Sequence, residues 1–325
     1  MLEVWFGALR HGYRFARMLQ ADDLEERGYR LAAQALRSEP VVAYSRARAL
    51  AVTADGRVVT WGRIPYRRWN RPYVRKPDWL LRDVRAVAAG ADYYLALTRD
   101  GRVVAWGRND RGQCEVPPDL PPVEAVAAGF RHSLAVTAEG RVVAWRHNVY
   151  GQCDVPADLP SVVAVAATYK CSLALTADGD VVSWGSDRNL DVPPGLKAVA
   201  VATSDDHALA VTPEGQVVAW GSNAYGQCDV PTDLPPVVSA AAGKTYSATL
   251  TVTGDVVVWG RLGLPRGALS GFKAVAVVAY ESPLLFVTPE GQVLVWSDYT
   301  SDPRCDVPPG LTVRVAPSGV PAGNT

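Results

Sequence analysis

The feature that most constrains this chain is a short unit that recurs seven times along it. Its centre is a turn glycine, a valine pair and a tryptophan: Asp55-Gly-Arg-Val-Val-Thr-Trp61, Asp100-Gly-Arg-Val-Val-Ala-Trp106, Glu139-Gly-Arg-Val-Val-Ala-Trp145 and Asp178-Gly-Asp-Val-Val-Ser-Trp184. Glu214-Gly-Gln-Val-Val-Ala-Trp220, Thr253-Gly-Asp-Val-Val-Val-Trp259 and Glu290-Gly-Gln-Val-Leu-Val-Trp296 complete the set. The tryptophans lie 36 to 45 residues apart. One such unit cannot bury its own apolar face, so units must stack, and strand-rich units of about 40 residues stack into a ring. The expectation is all-β: a seven-bladed β-propeller with a short helical N-terminal extension.

Each unit reads as four short strands. In the third, Val123-Glu-Ala-Val-Ala-Ala128 is small and apolar, as an inner strand near a crowded axis should be. Ser133-Leu-Ala-Val-Thr137 and Arg141-Val-Val-Ala-Trp145 follow across a glycine turn, and Cys153-Asp-Val155, stopped by Pro156, is expected to supply a short outer edge. The inner-strand pattern occurs once more than the tryptophan, from Val41-Val-Ala43 to Val313-Arg-Val-Ala316, so residues 312–318 are expected beside the first blade, closing the ring. The expected organisation is a helical extension over 1–39, the propeller over 40–318 and a flexible tail over 319–325. In the extension, Asp22 and Asp23 lie three residues before Glu25 and Glu26, a capping box, and Leu24, Leu31, Ala35 and Leu36 share one helix side. A second helix is expected around 3–19, and this extension either caps the ring or binds a partner.

The 33 basic and 33 acidic residues cancel, which argues against a broadly basic nucleic-acid binder, and 48% apolar residues argue against disorder. No apolar run approaches the ~20 residues of a membrane span, and the first ten residues, broken by Glu3 and Arg10, do not read as a secretory leader. A cytoplasmic protein with reduced thiols and no membrane association is expected.

Gly112-Gln-Cys-Glu-Val-Pro117, Ala128-Gly-Phe-Arg-His-Ser-Leu-Ala-Val136 and the Val-Val-Ala-Trp-Gly strand ends resemble the repeats of the regulator of chromosome condensation family over roughly residues 40–318. At about 39 residues the unit looks like the compact bacterial branch, and it is similar to the actinobacterial β-lactamase inhibitory propeller. The resemblance implies a protein that acts through its surfaces, as a guanine-nucleotide exchange factor, a chromatin binder or an enzyme inhibitor.

Chemistry-bearing residues follow the repeat. Cys114, Cys153, Cys228 and Cys305 each precede an acid and Val-Pro. One thiol per blade cannot share a metal whose bonds are ~2.0–2.3 Å, so they read as buried packing. His132 and His207 share a phase with Tyr93, Cys171 and Tyr246, which suits structural hydrogen bonding better than general-base work, and the repeated tryptophans read as packing between blades. No nucleophile elbow, phosphate loop or paired-histidine metal motif is present. Neither a cofactor nor a metal is expected, and an enzyme is the lesser reading.

Binding residues are sought where the units differ. In an up-and-down blade the first–second and third–fourth connections emerge on one face of the disc. On the other face the turns are monotonous, whereas this face carries Phe130, Arg131, Tyr150, Tyr169, Lys170, Asp205, Asp206 and Tyr225. Aromatic and charged loop tips are the composition of a recognition surface. The loop after Trp61 is also longer, and Gly62 to Asp83 carries seven basic and two acidic residues, net +5. Its Arg67, Arg68, Trp69, Arg71, Tyr73, Arg75, Lys76 and Trp79 interleave cations with rings, a pattern suited to carboxylates or phosphates. The function expected is a protein-interaction scaffold or regulator whose partner is a protein with an acidic surface; nucleic acid or a nucleotide is second. The alternatives are an enzyme acting on a peptide or small molecule, with or without the assistance of a metal, and an exchange-factor-like regulator of a small GTPase.

Overall fold

The computed structural model describes residues 41–45, 48–62, 73–77, 83–186, 190–263, 269, 271–279, 281, 283–297 and 306–313. The extension expected over 1–39, the tail over 319–325 and Cys305 lie outside the described residues.

Seven antiparallel sheets, one per tryptophan, form the blades. The inner strands are Val42–Tyr44, Val84–Ala89, Val123–Ala128, Val162–Ala167, Ala200–Thr203, Val237–Ala242 and Ala276–Ala279. The middle strands are Arg48–Val52, Tyr93–Thr98, His132–Thr137, Cys171–Thr176, His207–Val211, Tyr246–Thr251 and Leu284–Val287. The outer ones are Val58–Gly62, Val103–Arg108, Val142–Arg146, Val181–Gly185, Val217–Gly221, Val256–Gly260 and Val293–Trp296. Successive inner strands pack on one another around the ring, and the first packs on the seventh. Alanine and valine dominate there because neighbouring strands leave no room for larger side chains. Middle strands are almost wholly buried, and Trp61, Trp106, Trp145, Trp184, Trp220 and Trp259 of the outer strands are buried between blades.

The repeated turns also stitch blade to blade. Each turn glycine, Gly56, Gly101, Gly140, Gly179, Gly215, Gly254 and Gly291, has φ between 78° and 83°, the left-handed region that a side chain would strain. Its carbonyl accepts the N–H that begins the next inner strand, in bonds of 2.8–3.1 Å running from Val84→Gly56 to Val313→Gly291. Val313 thus takes the place that opens an inner strand in other units and bridges to Thr53 in the first blade, while residues 314–318, expected to continue it, lie outside the described residues. The N–H of Val52 bonds to the carbonyl of Val41, so the first blade's innermost pairing is shared by both ends of the described chain.

Two features depart from the four-strand reading. Among the described residues six of the seven sheets have three strands, and in the third and fifth blades the Gly-Gln-Cys segment, next to the expected outer edge, is a turn. Its backbone is satisfied locally: in the third blade Asn148 Oδ1 accepts the Cys153 N–H at 2.8 Å, Gln152 Oε1 accepts the Tyr150 N–H at 2.8 Å, and the Asp154 N–H bonds to the carbonyl of Gly151 at 3.0 Å. Backbone groups already bonded to side chains have nothing to offer a ladder. The second blade does have a fourth strand, and it comes from the long basic loop: Tyr73 and Val74 pair with Arg108 and Gly107.

Candidate functional site

The middle strands begin, and the outer strands end, beneath the variable face. His132 pairs with Arg146 and Cys171 with Gly185, which sets each first–second loop beside the loop that follows the outer strand. Below the loops runs the row of side chains that share a phase. His132 Nε2 meets Ser172 Oγ of the next blade at 3.0 Å, His207 Nε2 meets Ser247 Oγ at 2.8 Å, and Tyr246 Oη donates to the carbonyl of Pro283 at 2.7 Å. Tyr93 Oη donates to the carbonyl of His132 and receives Ser133 Oγ at 3.0 Å. Gly129 makes room for this row, since a Cβ there would stand 2.3 Å from His132 Cε1. Burial pushes the His132 imidazole down to about 3 and His207 down to about 4, so both are neutral near pH 7. These side chains staple one blade to the next.

Cys114, Cys153 and Cys228 sit in the Gly-Gln-Cys turns. The Sγ of Cys114 donates to the carbonyl of Arg108 at 3.3 Å, and that of Cys228 to the carbonyl of Ser222 at 3.3 Å. Burial, helped by the adjoining acid, pushes the thiols of Cys114 and Cys153 up to about 12. Such thiols are protonated and poorly nucleophilic. Among the described residues no group of three or more His, Cys, Asp or Glu could hold a metal.

The structure brings six of the sequence-predicted residues together across the third, fourth and fifth blades. Phe130 packs edge-on against Tyr169 with centroids 4.7 Å apart, and Tyr169 meets Tyr150 at 5.6 Å. Lys170 Nζ lies 5.5 Å from the centre of the Tyr150 ring, and the Arg131 guanidinium lies 5.3 Å from that of Phe130. Asp205 Oδ1 accepts the Tyr169 N–H at 2.8 Å, pinning one loop tip to the next. Beneath, Gln152 Nε2 reaches the carbonyl of Tyr169 at 3.4 Å and His147 Nδ1 at 3.0 Å. The result is a half-buried aromatic ridge flanked by cations, held from below.

The other predicted residues are dispersed. Tyr225, 47% exposed, packs with Arg261 at 5.7 Å, and Asp206 accepts the Ser222 N–H through its carbonyl. Tyr73 and Arg75 lie exposed at the edge of the second blade, while Lys76 Nζ donates to the carbonyl of Val58 at 3.1 Å. Arg67, Arg68, Trp69, Arg71 and Trp79 lie outside the described residues.

Sequence reasoning passed over one neighbour of this ridge. A cleft of about 590 Å³ opens between the second and third blades, lined by Arg111, Glu115, Trp145, Arg146, His147 and Val149 among others. Arg146 has φ 88°, at a place where Gly62, Gly107, Gly185, Gly221 and Gly260 have φ between 84° and 112°. The signal was in the repeat: a glycine follows the tryptophan in five units and an arginine in this one. A side chain at positive φ costs energy, and such costs collect at functional places. Arg146 meets Glu115 at 2.5 Å across the cleft. Burial, then Arg131 and Arg111, lower the pKa of His147, so the cations come from neighbouring loops as well. The second blade's rim differs: Arg108 is tied to Asp110 at 2.6 Å and Asp92 at 3.4 Å, and this guanidinium holds Asp110 down to about 2.

Residues 84–113, 123–152, 162–189 and 198–227 match the family model described as the regulator of chromosome condensation (RCC1) repeat. No curated protein matches the chain in sequence. Among solved structures the chain is similar to Prp20p from Saccharomyces cerevisiae, described with its binding to Gsp1p and histones, at 23% identity and a TM-score of 0.59, covering 69% of this chain and 74% of that one. Yeast RCC1 (Prp20) bound to Kap60 aligns at 22% identity and a TM-score of 0.58, covering 68% and 73%. Human WBSCR16 aligns at 24% identity and 0.58, covering 73% and 81%. At these identities the likeness is one of fold.

Proposed function

The chain carries RCC1 repeats on a seven-bladed propeller, and from that premise we propose that it is a protein-interaction module that docks and regulates a protein partner through its variable face. The observation that carries this reading is the ridge of Phe130, Tyr169 and Tyr150 with Arg131 and Lys170 beside it. Rigid aromatics with flanking cations, set on loop tips and braced from below, are the composition of interface hot spots. The staples beneath explain the bracing: these loop tips rise from strands hydrogen-bonded to the next blade, so little ordering remains for binding to require. The cations favour a partner with acidic groups facing the ridge, and the net positive charge of the loop at 63–79 favours the same kind of partner. Yeast Prp20 is itself described with protein partners, which agrees with this use of the fold.

Capture from native lysate tests the reading. Phe130→Ala combined with Tyr150→Ala and Tyr169→Ala, with melting unchanged to show that the ring is intact, is expected to remove the bound set. If the same proteins are retained at the same yield, the ridge is not the docking element. Adding Arg67→Ala, Arg68→Ala and Arg71→Ala in a separate variant reports whether the basic loop contributes.

A further inference from the structure

The ridge borders the cleft between the second and third blades, and the cleft has its own chemistry. Arg146 stands where five sibling units have glycine, in a backbone conformation that disfavours it. Its guanidinium is used: it meets the Glu115 carboxylate at 2.5 Å and the Glu115 carbonyl at 3.3 Å. Glu115 is unusual too. Its counterparts Asp154 and Asp229 accept Nδ2 of Asn148 and Asn223 within their own loops, at 2.6 and 2.7 Å. The extra methylene of Glu115 carries its carboxylate into the next blade's cleft instead. The chain therefore already places one carboxylate on Arg146, with both side chains substantially exposed, at 37% and 54%. An exposed pair of this kind is weak and readily exchanged. Arg111 lines the same cleft, exposed and in no ion pair among the described residues, and Arg131 stands beside His147 with its Nε unpartnered.

We propose that this cleft is a docking site for an acidic segment of a partner protein, in which a glutamate or aspartate of the partner displaces Glu115 from Arg146 and a second reaches Arg111. Glu115 is then a built-in competitor that occupies the site when no partner is present. Charge complementarity chooses the occupant: two arginine forks converge on an open space, and a fork matches a carboxylate in two parallel hydrogen bonds. The proposal rests on the reading above only in taking the ligand to be part of a protein.

The probe is a capped hexaglutamate peptide titrated into the full chain at low salt, followed by the indole N–H resonance of Trp145, which lines the cleft and is assigned with Trp145→Phe. Saturable binding is expected, weakened roughly fivefold by Arg111→Ala and tightened roughly threefold by Glu115→Gln, as exposed charge pairs of this size allow. The tightening is the decisive sign, because a merely structural Glu115 would leave the affinity unchanged. No saturable shift, or affinities that ignore both variants, overturns the proposal. So does an oligothymidylate of equal charge that binds more tightly than the peptide with the same dependence on Arg111, since the ligand would then be nucleic acid. The two readings fail separately: Tyr169→Ala lies outside the cleft and should leave the peptide affinity intact while abolishing partner capture.

Discussion

Blades three and five are built on one frame and used differently. In both, a buried histidine opens the middle strand and bonds to a serine of the next blade, His132 to Ser172 and His207 to Ser247. In both, the loop after the tryptophan closes the same way: the Tyr150 and Tyr225 N–H groups bond to Gln152 and Gln227 at 2.8 Å, and Asn148 and Asn223 bond to Asp154 and Asp229. The main-chain carbonyls of these glutamines then receive the next blade's tryptophan, Trp184 at 3.0 Å and Trp259 at 2.9 Å. What differs are side chains laid on that frame. Gly221 and Ser222 of the fifth blade are Arg146 and His147 in the third, and Ser204, which bonds to His207 Nδ1 at 2.9 Å, corresponds to Gly129. The lesson is that the repeat supplies a closed hydrogen-bonded support, and function is written in the few places where a unit departs from it.

The largest effect should come from acid, which attacks what the two blades share. Both imidazoles take up a proton less readily folded than unfolded, where the value is near 6.5. Their contribution is whole above about pH 6.5 and is lost as pH falls towards the folded values of about 3 and about 4. A tenfold difference in proton affinity is worth about 1.4 kcal/mol, so the loss between pH 7 and pH 4 is on the order of several kcal/mol. Denaturant midpoints measured across this range should fall steeply, and His132→Gln should flatten the fall even if it lowers stability at pH 7. A flat profile for the unaltered protein would show that the histidines titrate freely.

Next in size is the glutamine that closes each loop. Gln152→Ala should cost about 2–3 kcal/mol and Gln227→Ala about 1–2 kcal/mol, since each strands a tyrosine N–H. The third blade should lose more because Gln152 also holds His147 and the carbonyl of Tyr169. Equal losses in urea unfolding would mean that the ridge does not depend on this support.

Much of this was legible in the sequence, because a repeat compares a chain with itself. Seven tryptophans read as seven blades, the turn glycines read as tight hairpins, and His132 and His207 could be recognised as structural by the company of Tyr93 and Tyr246 at the same phase. Loop tips such as Phe130 and Tyr169 were legible as a variable class, but their convergence was not, since 39 residues separate them and only the packing of adjacent blades brings them to 4.7 Å. The outer edge was misread for a physical reason: Cys153 and Val155 look like strand residues, yet Asn148 and Gln152 satisfy the backbone nearby. Tyr73 and Val74 were illegible as an edge strand because a two-residue pairing has no period to detect.

The smallest predicted effect, that of Arg146→Gly, separates the two blades most cleanly when set against the opposite exchange in the fifth blade. Gly221→Arg forces a side chain into φ 109° and should destabilise the fold by about 1–3 kcal/mol. The reverse change, Arg146→Gly, relieves the same conformation at φ 88°. It removes an ion pair whose exposure limits it to about 0–1 kcal/mol, while glycine at positive φ recovers roughly 1 kcal/mol or more. The net expectation is a gain of up to about 1 kcal/mol, against the usual direction for deleting a charged, hydrogen-bonded side chain. Thermal melting of the two variants measures both signs. If Arg146→Gly instead loses stability, the arginine is a structural tie between the second and third blades, and the third blade's departure from the fifth serves folding; if it gains, the arginine is retained at a cost to the fold, as a residue with a task at the surface would be.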